Sequence, residues 1–463
     1  MLTFYDRDDR MLRRDFLKVG ALSLGGLSLT SLLGSRAYAA EKPLLKDRSV
    51  IFLFLHGGPS QTETFDPKMS APSDVHSATG EVKTVLPGVT FGGTFPRLAR
   101  LADRITVVRS FVTGDENHDL KPLVCRDTFR ANLGTIYSRV AGMNHPVSGM
   151  PMNVLLFPRA VDPTTQPGTM AFGKFNDTGG FGSAYAPFDP SGGGSLQEDM
   201  KLRIPRDKLD DRRLLLSELD RVKLALDEAG RSDGLDRIRE QAFTTLLNGI
   251  ADAFDLGQES SKTLARYDTA PLVRPENISR KWNNYNNYVD NAKSLGKLLL
   301  LARRLCERGC GFVTVTTNFV WDMHADINNA GVAEGMSYMG PPLDYALSAF
   351  LEDVEARGLS DKILLVACGE MGRTPKINRN GGRDHWGRIA PLLLAGGGLK
   401  MGQVIGQSSR DGGEPATQPI TIPNLIATVL HTLFDVGELR IAPGVPREIA
   451  AVMTGYEPIP GLL

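Results

Sequence analysis

Cysteine is scarce in this chain. Cys125, Cys306, Cys310 and Cys368 are the only four in 463 residues, too few for a disulfide scaffold at this length. Cys306 and Cys310 flank the end of a helical pattern, with no second Cys or His pair at zinc-site spacing, so buried thiols are expected. Net charge is missing too: basic and acidic residues balance at 53 each. That leaves no electrostatic footprint for DNA or RNA, and no nucleic-acid partner is expected. No repeats or low-complexity tracts occur. The glycine-rich "GKFNDTGGFGSAYAPF" follows no strand and opens no helix, which disqualifies it as a nucleotide loop.

Long apolar runs are also lacking. The apolar stretch of the N-terminus, "VGALSLGGLSLTSLL", covers 15 residues, fewer than the roughly 20 that a spanning helix needs. It follows "RRDFLK" (Arg13 to Lys18) and precedes "AYA" (Ala37 to Ala39). Basic region, apolar core and small-x-small cleavage site make a signal peptide over residues 1–39. The paired arginines resemble a twin-arginine signal, with Leu12 where Ser or Thr is usual. The expectation is export to the periplasm or beyond, with no stable transmembrane span and with Met1 or Met11 as the start. Residues 1–39 carry six basic and four acidic residues, so a processed chain has a net charge near −2.

What remains, residues 40–463, has ordinary globular composition, 41% hydrophobic and 23% charged. "SVIFLFL" is a continuous apolar run ended by glycines, the pattern of a strand buried on both faces. "RITVVRSF", "MNVLLF", "CGFVTVTTNF", "KILLVAC" and "IAPLLLAG" read as further strands. Residues from about 205 to 309 turn helical and charged, with leucines at three- and four-residue spacing in "DDRRLLLSELDRVKLALDEAG" and "AKSLGKLLLLARRLCERG". Between these, "RKWNNYNNYVDN" reads as an exposed insertion. "LDYALSAFLEDVEARG" and "TIPNLIATVLHTLF" are amphipathic helices, the second carrying His431 as a core histidine. The fold class is therefore α/β, with a large, mainly parallel sheet covered by helices on both faces and a helical insertion.

In open α/β sheets ligands bind beyond the carboxyl ends of the strands, and polar clusters stand there. His56, Ser60, Glu63, Thr64 and Asp66 follow the first strand, and Thr113, Asp115, Asn117, His118 and Asp119 the second. Asp322, His324 and Asp326 come next, then Glu370, Arg373, Lys376, Asp384 and His385 within "GEMGRTPKINRNGGRDHWG". Carboxylates with imidazoles suit zinc, manganese or iron, and carboxylates alone suit calcium or magnesium. Arg373 and Lys376 are placed to hold the oxygens of a phosphate or sulfate ester.

"GGPSQTETFDPK", "LLLARRLCERGCGFVTV", "WDMH", "LDYALSAFLEDVEARGLSDKILLVACGEMGRTPKIN", "GRDHW" and "GGGLKMGQVIG" together resemble an exported bacterial sulfatase-like family, domain of unknown function 1501. That family looks like a branch of the alkaline phosphatase and sulfatase superfamily. The resemblance implies an alkaline-phosphatase-like sheet with one or two divalent ions (Zn, Mn, Mg or Ca) at its strand ends. It implies Asp322, His324 and His385 as ligands of one metal, with Asp384 beside them. Glu370 takes the place of an Asp-His pair whose histidine Met371 replaces, and Glu63, with Asp66 beside it, is the early acidic ligand. Ser110 or Thr113 is the implied nucleophile. Cys125 lies in "CRDTF", which lacks the Cys-x-Pro-x-Arg pattern read in sulfatase maturation. The function expected is metal-dependent hydrolysis of a small anionic ester or of a sulfated or phosphorylated polymer. The competing expectation is a non-catalytic periplasmic or cell-surface binding protein that keeps the fold and one metal.

Overall fold

A computed structural model describes residues 44–191 and 250–463, except 441 and 443. The expected signal segment and the leucine-patterned stretch 210–230 lie outside the described residues. Seven strands form the main sheet: β1 Ser49–Phe54, β2 Thr106–Val108, β3 Asn153–Leu156, β4 Phe312–Thr316, β5 Ile363–Cys368, β6 Leu392–Gly396 and β7 Gln403–Ile405. Their order is β7-β2-β6-β5-β1-β4-β3. β1 pairs in parallel with β4 and β5, β3 with β4, and β2 with β7. β6 runs antiparallel to both of its neighbours. The mainly parallel α/β sheet expected from the apolar runs is the architecture observed.

The sheet is buried on both faces, as the runs require. Along β1, Ile51 and Leu53 enter one core, while Val50, Phe52 and Phe54 enter the other. The first core is closed by α2 (Tyr285–Glu307) and α3 (Val332–Ala356), through Leu295, Leu298, Leu343 and Leu347. The second is closed by α1 (Leu133–Ala141) and α4 (Ile422–Leu433), through Ile136, Leu425 and Val429. Each such side chain contributes on the order of 2 kcal/mol by leaving water. Asp344 of α3 accepts from the backbone N–H groups of Arg97 and Leu98, docking the short Pro96–Ala99 helix on α3. No helix among the described residues is long and apolar enough to cross a membrane.

Two local features position the strand-end loops. Because β6 is antiparallel to β5, with Leu392 opposite Cys368, the chain from 369 to 391 leaves and re-enters the sheet at one edge. It is a long hairpin connection, folded on itself by a two-residue ribbon that sets His385 opposite Arg373 and Trp386 opposite Gly372. The second feature departs from expectation. "RKWNNYNNYVDN" is docked rather than exposed, with Tyr288 fully buried and Trp282 Nε1 donating to Glu334. Asn283 Nδ2 donates to Asn328 Oδ1 and Asn284 Nδ2 to Asn329 Oδ1, each at 2.8 Å, which fixes the loop after β4.

Candidate metal centre

His118, Asp322, His324 and His385 each offer one ligand atom, and these atoms lie within 4.8 Å of one another. Asp322 Oδ1 stands among the three imidazoles, 2.8 Å from His324 Nε2, 3.3 Å from His385 Nε2 and 3.4 Å from His118 Nε2. The Nε2 atoms of His324 and His385 face each other at 2.7 Å. Burial would push the Asp322 carboxyl up, but the three imidazoles gathered around it and the Arg373 charge hold it well below the usual carboxylate range. Asp322 is therefore an anion at any ordinary pH.

Each ligand is oriented from behind. Glu370 accepts from Gly57 N–H at 3.0 Å and binds His118 Nδ1 at 2.8 Å, so Nδ1 carries the proton and the Nε2 lone pair points at the group. His118 Nε2 is buried and has no hydrogen-bond partner of its own. Asp384 lies 3.4 Å from His324 Nδ1 and is itself held by Asn378 Nδ2 at 2.9 Å. Asn329 Nδ2 donates to Asp322 Oδ2 at 3.3 Å, which ties the asparagine ladder to the carboxylate. Lys121 gathers the 115–121 loop, its Nζ donating to Asp115 Oδ1, Asp119 Oδ1 and the Asn117 carbonyl. At Gly57 (φ 112°) a Cβ would meet the backbone of Trp321 and Asp322 at 2.6–2.9 Å, so only glycine brings β1 this close to the Asp322 loop.

An unpartnered buried imidazole nitrogen, two further imidazoles and an ionised carboxylate converging on one point form a donor set suited to a divalent ion such as zinc. Side-chain exposure rises from 9% at Asp322 and 11% at His118 to 21% at His324 and 28% at His385. The histidine edge is thus the side open to solvent.

Several expected site residues are placed elsewhere. Glu63 is fully buried and spent on Arg383 (2.9 Å), Ser77 Oγ and the Ala78 N–H. Asp66 pairs with Lys68 and Arg109 and accepts from Ser408. Neither joins the ligand group, because a cation already neutralises each. Glu370 and Asp384 stand behind histidines rather than among the four converging residues. Arg373 is fully buried and donates to the Gly57, Gly58 and Arg383 carbonyls and to Asp322 Oδ1 (2.6 Å), so its guanidinium is not free to hold an ester. Lys376 is exposed and paired with Asp74 at 3.0 Å. Ser110 is buried beside Gly406 with an unpartnered Oγ, and Thr113 Oγ1 reaches the Gly387 carbonyl at 3.5 Å. Among the described contacts, neither hydroxyl touches the ligand group. His118, by contrast, joins it without having been assigned as a ligand. It stood in the cluster after β2, but no spacing rule selects it from its four polar neighbours.

Solved structures that align with this chain include the PsFucS1 sulfatase from Pseudoalteromonas sp., at 11% identity and a TM-score of 0.36, covering 87% of this chain and 70% of that one. The phosphonate monoester hydrolase SpPMH from Silicibacter pomeroyi aligns at 12% identity and 0.33, over 89% and 78%. Alkaline phosphatase from the Antarctic bacterium TAB5 aligns at 10% and 0.25, over 83% and 98%. No curated protein matches the chain. The model of one family, described as "Protein of unknown function (DUF1501)", matches residues 47–439, and the chain belongs to that family.

Proposed function

We propose that this protein is an exported, metal-dependent hydrolase of phosphate or sulfate esters, working with one divalent ion. The observation that carries the reading is the convergence of His118, Asp322, His324 and His385, with His118 Nε2 buried and unpartnered. Those four residues would hold the ion, which when bound supplies Lewis acidity toward an ester oxygen. The chain's own residues do the rest. Asp322 and Arg373 keep a fixed, ionised carboxylate in place, and Glu370 and Asp384 hold the histidine tautomers. His324 and His385, the more exposed pair, stand on the side from which a substrate would enter. Export is supported by the N-terminal basic–apolar–AYA pattern.

A second reading, a metal-holding protein without turnover, is favoured by one observation: neither Ser110 nor Thr113 reaches the ligand group. Metal analysis of protein purified through its native export route, run beside hydrolysis of an aryl phosphate and an aryl sulfate, decides between them. One ion per chain with turnover is expected, and His324→Ala should lose the ion while staying folded. A metal-free wild type inert on both esters would sink the proposal, and bound metal without turnover would establish the second reading.

A further inference from the structure

A cluster of rings packs beside the ligand group, and the metal chemistry does not use it. Phe172 and Phe319 stack, with centroids 4.3 Å apart and 26° between their planes. Both lie against the His118 imidazole, at 5.1 and 4.8 Å. Phe319 holds φ at 27°, a conformation unfavourable for so bulky a residue and one that clusters at ligand sites. Phe172 comes from the loop after β3 and keeps part of its surface in solvent. His56 meets both rings edge-on, at 5.6 and 5.0 Å, and its buried Nε2 has no hydrogen-bond partner. Phe172 is the ring that solvent reaches, and Phe319 and His56 stand buried behind it.

The charge around the group is equally specific. Asp322, Glu370 and Asp384 against Arg373 leave an excess of two negative charges, which one divalent ion cancels. On the ligand-bearing loops, Lys121, Arg373, Lys376, Arg383 and Arg388 are each paired with a carboxylate. Arg126, Arg130 and Arg379 are the exposed bases of these loops without such a partner among the described residues. With one ion bound the ligand group is neutral, so a dianion would leave two uncompensated charges beside it, whereas a monoanion with an apolar body leaves one and gains from the rings.

We propose that Phe172, backed by the buried Phe319 and His56, forms the organic-group subsite of the metal centre, selecting a singly charged ester with an aromatic group. A sulfate monoester and a phosphodiester share that chemistry. The inference rests on the metal-dependent ester reading above and narrows it: the sulfated or phosphorylated polymer is excluded in favour of a small aryl monoanion.

The test is calorimetric binding to metal-loaded full-length protein at pH 8. The probes are benzenesulfonate, methyl phenylphosphonate, methanesulfonate and the dianion phenylphosphonate. At least one of the two aryl monoanions should bind about 10-fold tighter than methanesulfonate and than phenylphosphonate, and the better one tells sulfate from diester. Phe172→Ala should erase the advantage over methanesulfonate while metal content stays at wild-type level. Phe172→Leu, which keeps bulk without a ring face, should lose most of it as well. Tighter binding of the dianion, or a ring preference unchanged in both variants, overturns the subsite while leaving the metal reading intact. A protein that cannot be loaded with an ion defeats both.

Discussion

At Glu370 one carboxylate joins the Gly57 backbone to His118 Nδ1 with no exposed surface. Glu370→Gln keeps the shape but removes the charge that fixes the His118 tautomer. Metal affinity should fall about 10- to 100-fold, the usual effect of losing such a partner, while the fold persists; competitive chelator titration reads this directly. His56 offers a separate residue-scale test. Burial in its phenylalanine cage pulls its pKa down from 6.5 to about 4, outweighing the nearby Glu370 charge. A depressed folded pKa means neutral His56 favours the folded state above pH 6.5, and that contribution is lost as pH falls toward 4. His56→Phe removes the titration. The stability difference between wild type and variant, measured by urea unfolding of metal-free protein, should therefore shift by about 2 kcal/mol against wild type between pH 7 and 5. An unchanged difference would mean that the imidazole is solvated.

At the scale of elements, the 369–391 connection is held down by one buried pair. Arg383 donates to Glu63, to the Val75 and His76 carbonyls and to those of Thr374 and Pro375, so it joins this hairpin to the segment after β1. Burial lowers the Arg383 pKa and Glu63 offsets only part of that, so deleting the carboxylate strands a desolvated cation. Glu63→Ala should cost about 3–5 kcal/mol in thermal or chemical unfolding. Because His385 follows Arg383 by two residues, weaker metal binding should accompany the loss. β1, β4 and β5 were legible in the sequence because burial on both faces leaves uninterrupted apolar runs. The same fact hid the direction of β6: an apolar run such as "PLLLAG" carries no polarity, so the hairpin nature of the loop before it could not be read. The strand-end rule likewise located Asp322, His324 and His385 on one edge. It could not say that Glu63 would be taken by an arginine 320 residues away, since residue type names a candidate ligand but not the partner that claims it. The asparagine ladder escaped for the same reason: "NNYNNY" repeats every three residues, but its meaning lies in Asn328 and Asn329.

Across the whole molecule, two cores clamp the sheet, and the ligand group gathers side chains from loops following β2, β4 and β5, at residues 118, 322, 324 and 385. In an unfolded chain these positions are far apart, so an ion that bridges them binds the native state almost exclusively. Its binding free energy then appears as folding stability. At a free concentration 100 times its Kd, one ion adds about 2.7 kcal/mol. The titration should saturate at a single equivalent. A second site would need carboxylates that Arg383, Lys68 and Arg109 already neutralise at Glu63 and Asp66. Chelator-stripped protein titrated with zinc or manganese in a thermal scan should thus show a rise of a few degrees in Tm, complete at one ion per chain. His324→Ala should abolish that rise while changing the Tm of the stripped protein little, because His324 is partly exposed and takes no part in either core. Saturation at two equivalents would mean that the Glu63 or Asp66 ion pair opens to admit a second metal, and the closed arrangement of those pairs would then be one state of two.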